Sequence, residues 1–143
     1  MSFKVTSQLL ISAGIIAAAA AIWHLLCILG GPSWFAFARA PQQVIASAQQ
    51  GTLLAPLSTL FVAGLMFTCS AFALSAAGLI RSLPLLKSAL ITITILCILR
   101  ALSAIPSLVY ANDLDLWQLV ASWVWLYTGI CFLAGTVRQL KTE

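Results

Sequence analysis

Arg100 is the residue whose chemistry most needs an explanation, because it stands inside a long apolar segment. It follows Lys87 by 13 residues, a distance of about 20 Å along a helix. A charge that deep in a membrane is costly, so it normally faces water or the interior of a helix bundle. Two interpretations stay open: Arg100 binds an anionic group, or it snorkels to the outer interface and pairs with Asp113, Asp115 or a backbone carbonyl.

Several hydroxyl side chains share the helical stripe of Arg100. They are Ser88, Thr92, Ser103 and Ser107. Residues three or four positions apart are neighbours on a helix surface. The pattern therefore predicts that this stripe faces inward and forms a polar lining beside the arginine.

His24 is the single histidine of the chain and lies near the end of the first apolar segment, at a depth similar to that of Arg100. The two side chains could share one site, with His24 as a hydrogen-bond partner or a titrating group. The alternative is an interfacial histidine that bonds to a backbone carbonyl. A lone histidine is a poor metal or haem ligand unless a second copy of the chain supplies another, so no metal or cofactor is expected.

An aromatic cluster and another arginine follow the first apolar segment. Trp34, Phe35 and Phe37 are expected to lie at the depth of the lipid headgroups, and Arg39 comes shortly after them. Four residues are predicted to frame one ligand pocket in the outer leaflet: His24, Trp34, Arg39 and Arg100. In this pocket Arg100 would supply the charge for an anionic head, and the aromatic rings would form the apolar wall.

Other chemistries find little support in the sequence. The four cysteines fall one in each apolar segment without a CxxC pair, which favours packing over metal binding. There is no serine, histidine and carboxylate set, no glycine-rich phosphate loop, and no acidic residue inside the apolar segments. The few basic residues do not form a groove for nucleic acid. No catalytic residue is predicted, and enzyme activity is the least supported class.

The amino-acid composition of the chain requires a lipid environment. Charged residues make up 7% of the 143 residues and hydrophobic residues 62%, whereas a soluble domain is about one quarter charged. Long continuous apolar runs predict helices, since about 20 residues span the hydrocarbon. The fold predicted is an all-α, polytopic membrane protein: one domain, residues 1–143, with four antiparallel transmembrane helices at about 5–29, 53–80, 83–108 and 116–137.

The helix ends and the loops follow from glycine, proline and charge. Residues 30–51 form the outer loop, which begins with Gly30, Gly31 and Pro32 and contains a short interfacial helix over 41–50 that ends at Gly51. Val44, Ile45 and Ala48 share its apolar side, and Ser47 belongs to the polar remainder. Five basic residues lie on one side of the predicted membrane and only Arg39 on the other: Lys4, Arg81, Lys87, Arg138 and Lys141. This bias predicts cytoplasmic N- and C-termini.

Three short segments carry a family resemblance. The residues Leu29-Gly-Gly-Pro32, the hairpin sequence from Ala77 to Leu86, and Leu99-Arg100 resemble those of small uncharacterised bacterial inner-membrane proteins with four helices. The resemblance implies a bacterial inner membrane and brings no known activity.

The sequence leaves three functions open. The first is a non-catalytic protein that binds a membrane lipid or small amphiphile in the outer-leaflet pocket. The second is a structural or accessory subunit, whose small-residue helix faces dock a membrane-protein partner or a second copy of the chain. The third, weaker, is a transporter of a small hydrophobic solute.

Overall fold

The computed structural model describes residues 3–103, 105 and 116–141 of the chain. All regular secondary structure in these ranges is helical. The helices are α1 (Phe3–Gly30), α2 (Pro32–Phe37), α3 (Gln42–Gln50), α4 (Leu54–Ala77), α5 (Leu86–Leu102) and α6 (Leu116–Lys141). The predicted all-α class is confirmed.

Three helices, α1, α4 and α6, are long and apolar enough to cross a membrane, which confirms the membrane class. Helix α5 has 17 residues and is therefore about 25 Å long, short of the roughly 30 Å of a hydrocarbon core. The predicted third span extended to Leu108, and its last residues lie outside the described ranges. Three of the four predicted spans are thus matched by helices of sufficient length.

The chain forms two compact units. The first contains Met1–Ile15 and Ala71–Glu143, and the second contains Ile16–Ser70. Helices α1 and α4 each contribute residues to both units. The prediction of one transmembrane domain over the whole chain stays a prediction.

The core of the first unit is built on close helix contacts. Helix α5 packs along α6, and the side chains of Leu10, Leu90 and Phe132 are fully buried. A Cβ atom at Gly135 would lie 2.7 Å from the Leu10 side chain, and one at Gly129 would lie 3.2 Å from Ile98. Small residues let helix backbones approach closely, which is how membrane helices gain packing energy without a hydrophobic driving force.

Arg138 joins three helices in the first unit. Its Nη1 donates to the Ser7 hydroxyl of α1 at 3.0 Å, and its Nη2 donates to the Ala76 carbonyl near the end of α4. The guanidinium also lies 4.5 Å from the centre of the Phe3 ring, a cation–π contact. A residue that the sequence marks only as a cytoplasmic charge is therefore a structural clamp.

The second unit contains a small apolar core beneath the loop that follows α1. Cys27, Phe35 and Ala55 form its centre, and partly buried residues of α1, of the turn after α2 and of α3 pack around them. Those from α3 are Val44, Ile45 and Ala48, so the predicted apolar side of this helix is confirmed. Gly51 ends α3 in the left-handed conformation at φ 68°, also as predicted.

Ser47 differs from the prediction that placed it on the polar side of α3. It is only 4% exposed. Its hydroxyl lies 2.6 Å from the Thr52 hydroxyl and accepts the Ala55 N–H of α4 at 2.9 Å. The first N–H groups of a helix lack partners within the helix, and here a serine from another helix satisfies one of them.

The connection between α4 and α5 contains more residues than predicted. Helix α4 ends at Ala77 instead of Ile80, because Gly78 takes a φ of +81°. The Gly78 N–H donates to the Ser75 carbonyl, and the Leu79 N–H donates to the Leu74 carbonyl. Helix α5 begins at Leu86 instead of Leu83, because Leu85 also has a positive φ, 56°. A left-handed residue ends a helix whatever the hydropathy around it.

Candidate functional site

Two glycines and a proline set the course of the chain from α1 into α2. Gly31 has φ 70° and ψ −158°, a backbone region that is essentially restricted to glycine. Pro32 then stands at the start of α2, where its fixed φ suits the first turn of a helix. The turn therefore directs α2 back toward the end of α1, where Trp34 meets Gly30.

Gly30 has a different role from Gly31. A Cβ atom on Gly30 would lie 2.1–2.3 Å from three ring atoms of Trp34. The indole of Trp34 thus rests directly on the α1 backbone. Only glycine leaves room for that contact, because any other residue would collide with the ring itself.

Three aromatic rings form an open recess beside this contact. The Trp23 and Trp34 ring centres are 5.6 Å apart, and those of Trp23 and Phe37 are 6.1 Å apart. With Ser33 these rings line a space of about 370 Å³. Trp34 is 40% exposed and Phe37 63% exposed, so broad aromatic faces remain available to a ligand.

Phe35 does not belong to this recess. It is buried in the core of the second unit with Cys27 and Ala55. The predicted cluster of Trp34, Phe35 and Phe37 therefore divides into two groups. Helical geometry explains the division, because residues three apart share a face and adjacent residues do not.

Arg39 lies in the turn that ends α2, two residues after Phe37. Its N–H bonds to the Ala36 carbonyl at 3.1 Å, and the Ala40 N–H bonds to the Phe35 carbonyl at 3.0 Å. Arg39 has a φ of 56°, and its side chain is exposed. It is the single Lys, Arg, Asp or Glu between residues 16 and 70.

His24 lies in the second unit but is not among the residues that line the recess. Its Nδ1–H donates to the Ala20 carbonyl at 2.7 Å. A carbonyl oxygen only accepts, so Nδ1 carries a hydrogen in this bond. This bond matches the alternative in which the histidine bonds to a backbone carbonyl. The carbonyl is that of Ala20, one helical turn before His24.

Arg100 belongs to the first unit and is half-buried. Its Nη1 donates to the Ser103 hydroxyl at 3.1 Å, and that hydroxyl donates to the Arg100 carbonyl at 2.7 Å. The arginine thus bonds at the end of its own helix. Asp113 and Asp115, the other partners considered, lie outside the described residues.

The hydroxyl stripe of α5 is not inward, and that prediction is wrong. Ser88, Thr92 and Ser103 are exposed. The buried face consists of Leu90, Ile93, Thr94, Cys97 and Ala101. Thr92 donates to the Ser88 carbonyl at 3.0 Å, and a hydroxyl satisfied by its own helix need not face the interior. Ser107 lies outside the described residues.

Of the four predicted site residues, the second unit contains His24, Trp34 and Arg39. Trp34 alone lines the recess, and Arg39 follows it in the next turn. Sequence reasoning missed Trp23 and Ser33 as wall residues. The signal for Trp23 was weak, because a tryptophan near a helix end normally indicates only an interfacial anchor.

Comparison with protein-family models, curated proteins and solved structures gives no match for this chain.

Proposed function

We propose that this chain is a non-catalytic integral membrane protein that binds a lipid or small amphiphile at the aromatic recess of its second unit. The observation that carries the proposal is the recess formed by Trp23, Trp34 and Phe37, with Arg39 two residues beyond its wall. Aromatic faces suit acyl chains, and the hydroxyl of Ser33 in the recess wall suits a polar head.

The placement of the chain in the membrane is part of this proposal. Helix α5 is the third of four spans in chain order, with a short hydrophobic length that local thinning of the bilayer accommodates. The four spans are antiparallel, and both termini are cytoplasmic in a bacterial inner membrane. The excess of basic residues at one end supports this orientation, which puts the recess at the outer leaflet, where tryptophan rings are common.

Native mass spectrometry of gently extracted protein tests the recess. We expect a retained lipid whose occupancy falls about tenfold in the Trp34→Ala variant, because a buried aromatic contact often dominates a binding site. Trp123→Ala is the matched control, since Trp123 is 66% exposed on α6 in the first unit. Its loss should leave the lipid occupancy unchanged.

Equal lipid occupancy in the Trp34→Ala and Trp123→Ala variants would remove the recess as the binding site. A parent protein that carries no lipid but keeps a second membrane protein through mild extraction would instead favour the accessory-subunit function.

One observation favours that second function. The exposed face of α5 carries the hydroxyls of Ser88 and Thr92, and polar side chains on membrane helices commonly bond across helix interfaces. A membrane-protein partner or a second copy of the chain would cover this face. A role for Arg100 in ligand binding, and the transport of a small hydrophobic solute, stay predictions.

A further inference from the structure

We propose that Arg100 binds the phosphodiester of an anionic phospholipid on an exposed surface of α5. The phosphate lies at the outer end of the helix, and an acyl chain of the same lipid lies along the helix below it. This site is distinct from the recess, since Arg100 belongs to the first unit and is not among the residues that line the recess. The inference rests on the proposed crossing of the membrane by α5 and not on a ligand in the recess.

The first step is the surface on which Arg100 lies. The residues that follow its helical stripe are exposed, namely Ser88, Thr92, Leu96 and Ser103. The buried residues of α5 form a different face of the helix. In a membrane-spanning helix an exposed stripe faces the lipid, whose tails are as apolar as leucine. Arg100 therefore brings a charge to a lipid-facing surface.

The second step is the direction of the Arg100 side chain. The Cα–Cβ bond of a helical residue leans toward the helix N-terminus. The Nη1 of Arg100 nevertheless reaches the hydroxyl of Ser103, three residues later, at 3.1 Å. The side chain has thus turned toward the end of α5, as an arginine in a membrane helix does when it brings its charge to the headgroups.

The third step is the role of Ser103 in this contact. Its hydroxyl donates its hydrogen to the Arg100 carbonyl at 2.7 Å, so toward the guanidinium the oxygen accepts. The serine therefore orients the arginine and does not itself donate to a ligand. A guanidinium has five N–H donors, and a pair of them matches two oxygens of a phosphate with parallel hydrogen bonds.

The fourth step is charge. The three acidic residues of the chain, Asp113, Asp115 and Glu143, all lie outside the described residues. Within the described ranges the guanidinium of Arg100 therefore meets no carboxylate. An arginine at the end of a membrane helix is stabilised by an anion at its own depth, and the phosphodiesters of the lipids are anions at that depth.

The fifth step identifies the source of the phosphate. Leu96, one helical turn before Arg100, and Leu99 beside it are exposed. Their side chains make dispersion contacts with an acyl chain and offer nothing to an inorganic ion. The occupant is therefore a lipid and not free phosphate. A zwitterionic head brings its own cation to the site and gains less from Arg100 than a head with net negative charge.

Quenching of a fluorophore on α5 tests this site in nanodiscs. In the full chain without its native cysteines, Leu96→Cys carries a bimane group one helical turn below Arg100. Phosphatidylglycerol or phosphatidylcholine with a nitroxide on its acyl chain is titrated into unlabelled phosphatidylcholine. We expect half-maximal quenching at an about fivefold lower fraction of the anionic lipid, the effect of one basic residue near a membrane surface.

Variants of the two side chains separate charge from orientation. Arg100→Gln should abolish the fivefold preference and leave quenching by phosphatidylcholine unchanged. Arg100→Lys should keep part of the preference, because an ammonium keeps the charge without the paired geometry of a guanidinium. Ser103→Ala should also keep part of it, since this change removes only the acceptor that orients Nη1.

Two control variants separate this site from other charges and from the recess. Arg81→Gln removes an exposed arginine of the connection between α4 and α5 and should keep the full preference. Trp34→Ala removes a ring of the recess and should also keep it. A preference that is lost in Trp34→Ala and kept in Arg100→Gln would assign the anionic lipid to the recess and overturn the inference.

Excess inorganic phosphate, compared with chloride at equal ionic strength, should not reduce the preference. If phosphate removes it, a free anion is the ligand, and the inference is overturned. Equal quenching by the two lipids also overturns it, and a preference that then appears in the Asp113→Asn, Asp115→Asn double variant would assign the guanidinium to those carboxylates. If neither lipid quenches the bimane, a protein covers this stripe instead of lipid, and the inference fails while the recess remains a lipid site.

Discussion

Gly30 shows how much one residue contributes to the candidate site. The sequence predicts that Gly30 and Gly31 together stop α1, and Gly31 does take the required backbone. Gly30 instead lies at the end of α1 and provides the surface on which the Trp34 indole rests. That contact joins a residue of α1 to a residue of α2 across the turn between them. The spacing of residues in the sequence does not predict which aromatic ring packs on which glycine.

The Gly30→Ala variant should displace the Trp34 ring, because the new methyl group would stand where the ring atoms now lie. We expect loss of the near-UV circular dichroism of the paired indoles and an about tenfold fall in retained lipid. Gly64→Ala on α4 is the control, since a Cβ there meets nothing within 4 Å. It should stabilise the helix by up to about 1 kcal/mol, and identical spectra for both variants would contradict the role of Gly30.

At the scale of elements, α3 is tied to α4 through the buried hydroxyl of Ser47. Amphipathic spacing predicts the apolar face of α3 correctly, including Val44 and Ile45. The same pattern assigns Ser47 to the polar side, because a serine is counted as surface when its partner lies on another element. The partner here is the Ala55 N–H at the start of α4.

The Ser47→Ala variant should lower the free energy of unfolding by about 1–2 kcal/mol, since it leaves a helix N-terminal N–H without its cap. Thermal unfolding in detergent measures this loss, and hydrogen exchange at residues 54–57 localises it. Ser58→Ala is the control, because the Ser58 hydroxyl donates only to Leu54 and Ala55 carbonyls of its own helix. Similar destabilisation by both variants would argue against capping between helices.

For the whole molecule, hydropathy predicts the membrane class and the approximate positions of α1, α4 and α6. It fails on which side of each helix is buried. In lipid an apolar side chain gains little by turning inward, so Ile95 and Leu99 are exposed while Thr94 of the same helix is buried. Helix α5 therefore has an inner face, as the sequence predicts, but other residues form it.

Membrane topology separates four spans from three. In a variant without its native cysteines, Gln49→Cys should react with an impermeant maleimide from outside, and Ser82→Cys only after permeabilisation. Leu140→Cys, near the end of α6, should behave like Ser82→Cys if α5 crosses the membrane. Labelling of Leu140→Cys from outside, with the other two sites as expected, would mean that α5 does not cross.

The discontinuity of the first unit has a consequence for biosynthesis. Residues 16–70 are continuous in the chain, so the second unit can assemble while later segments are still being made. The first unit combines residues 1–15 with residues from 71 onward, and Arg138 reaches back to Phe3 and Ser7. The contacts between the start of α1 and Arg138 therefore cannot form until about 130 further residues have been synthesised. During that interval the recess can already be complete, whereas the clamp cannot.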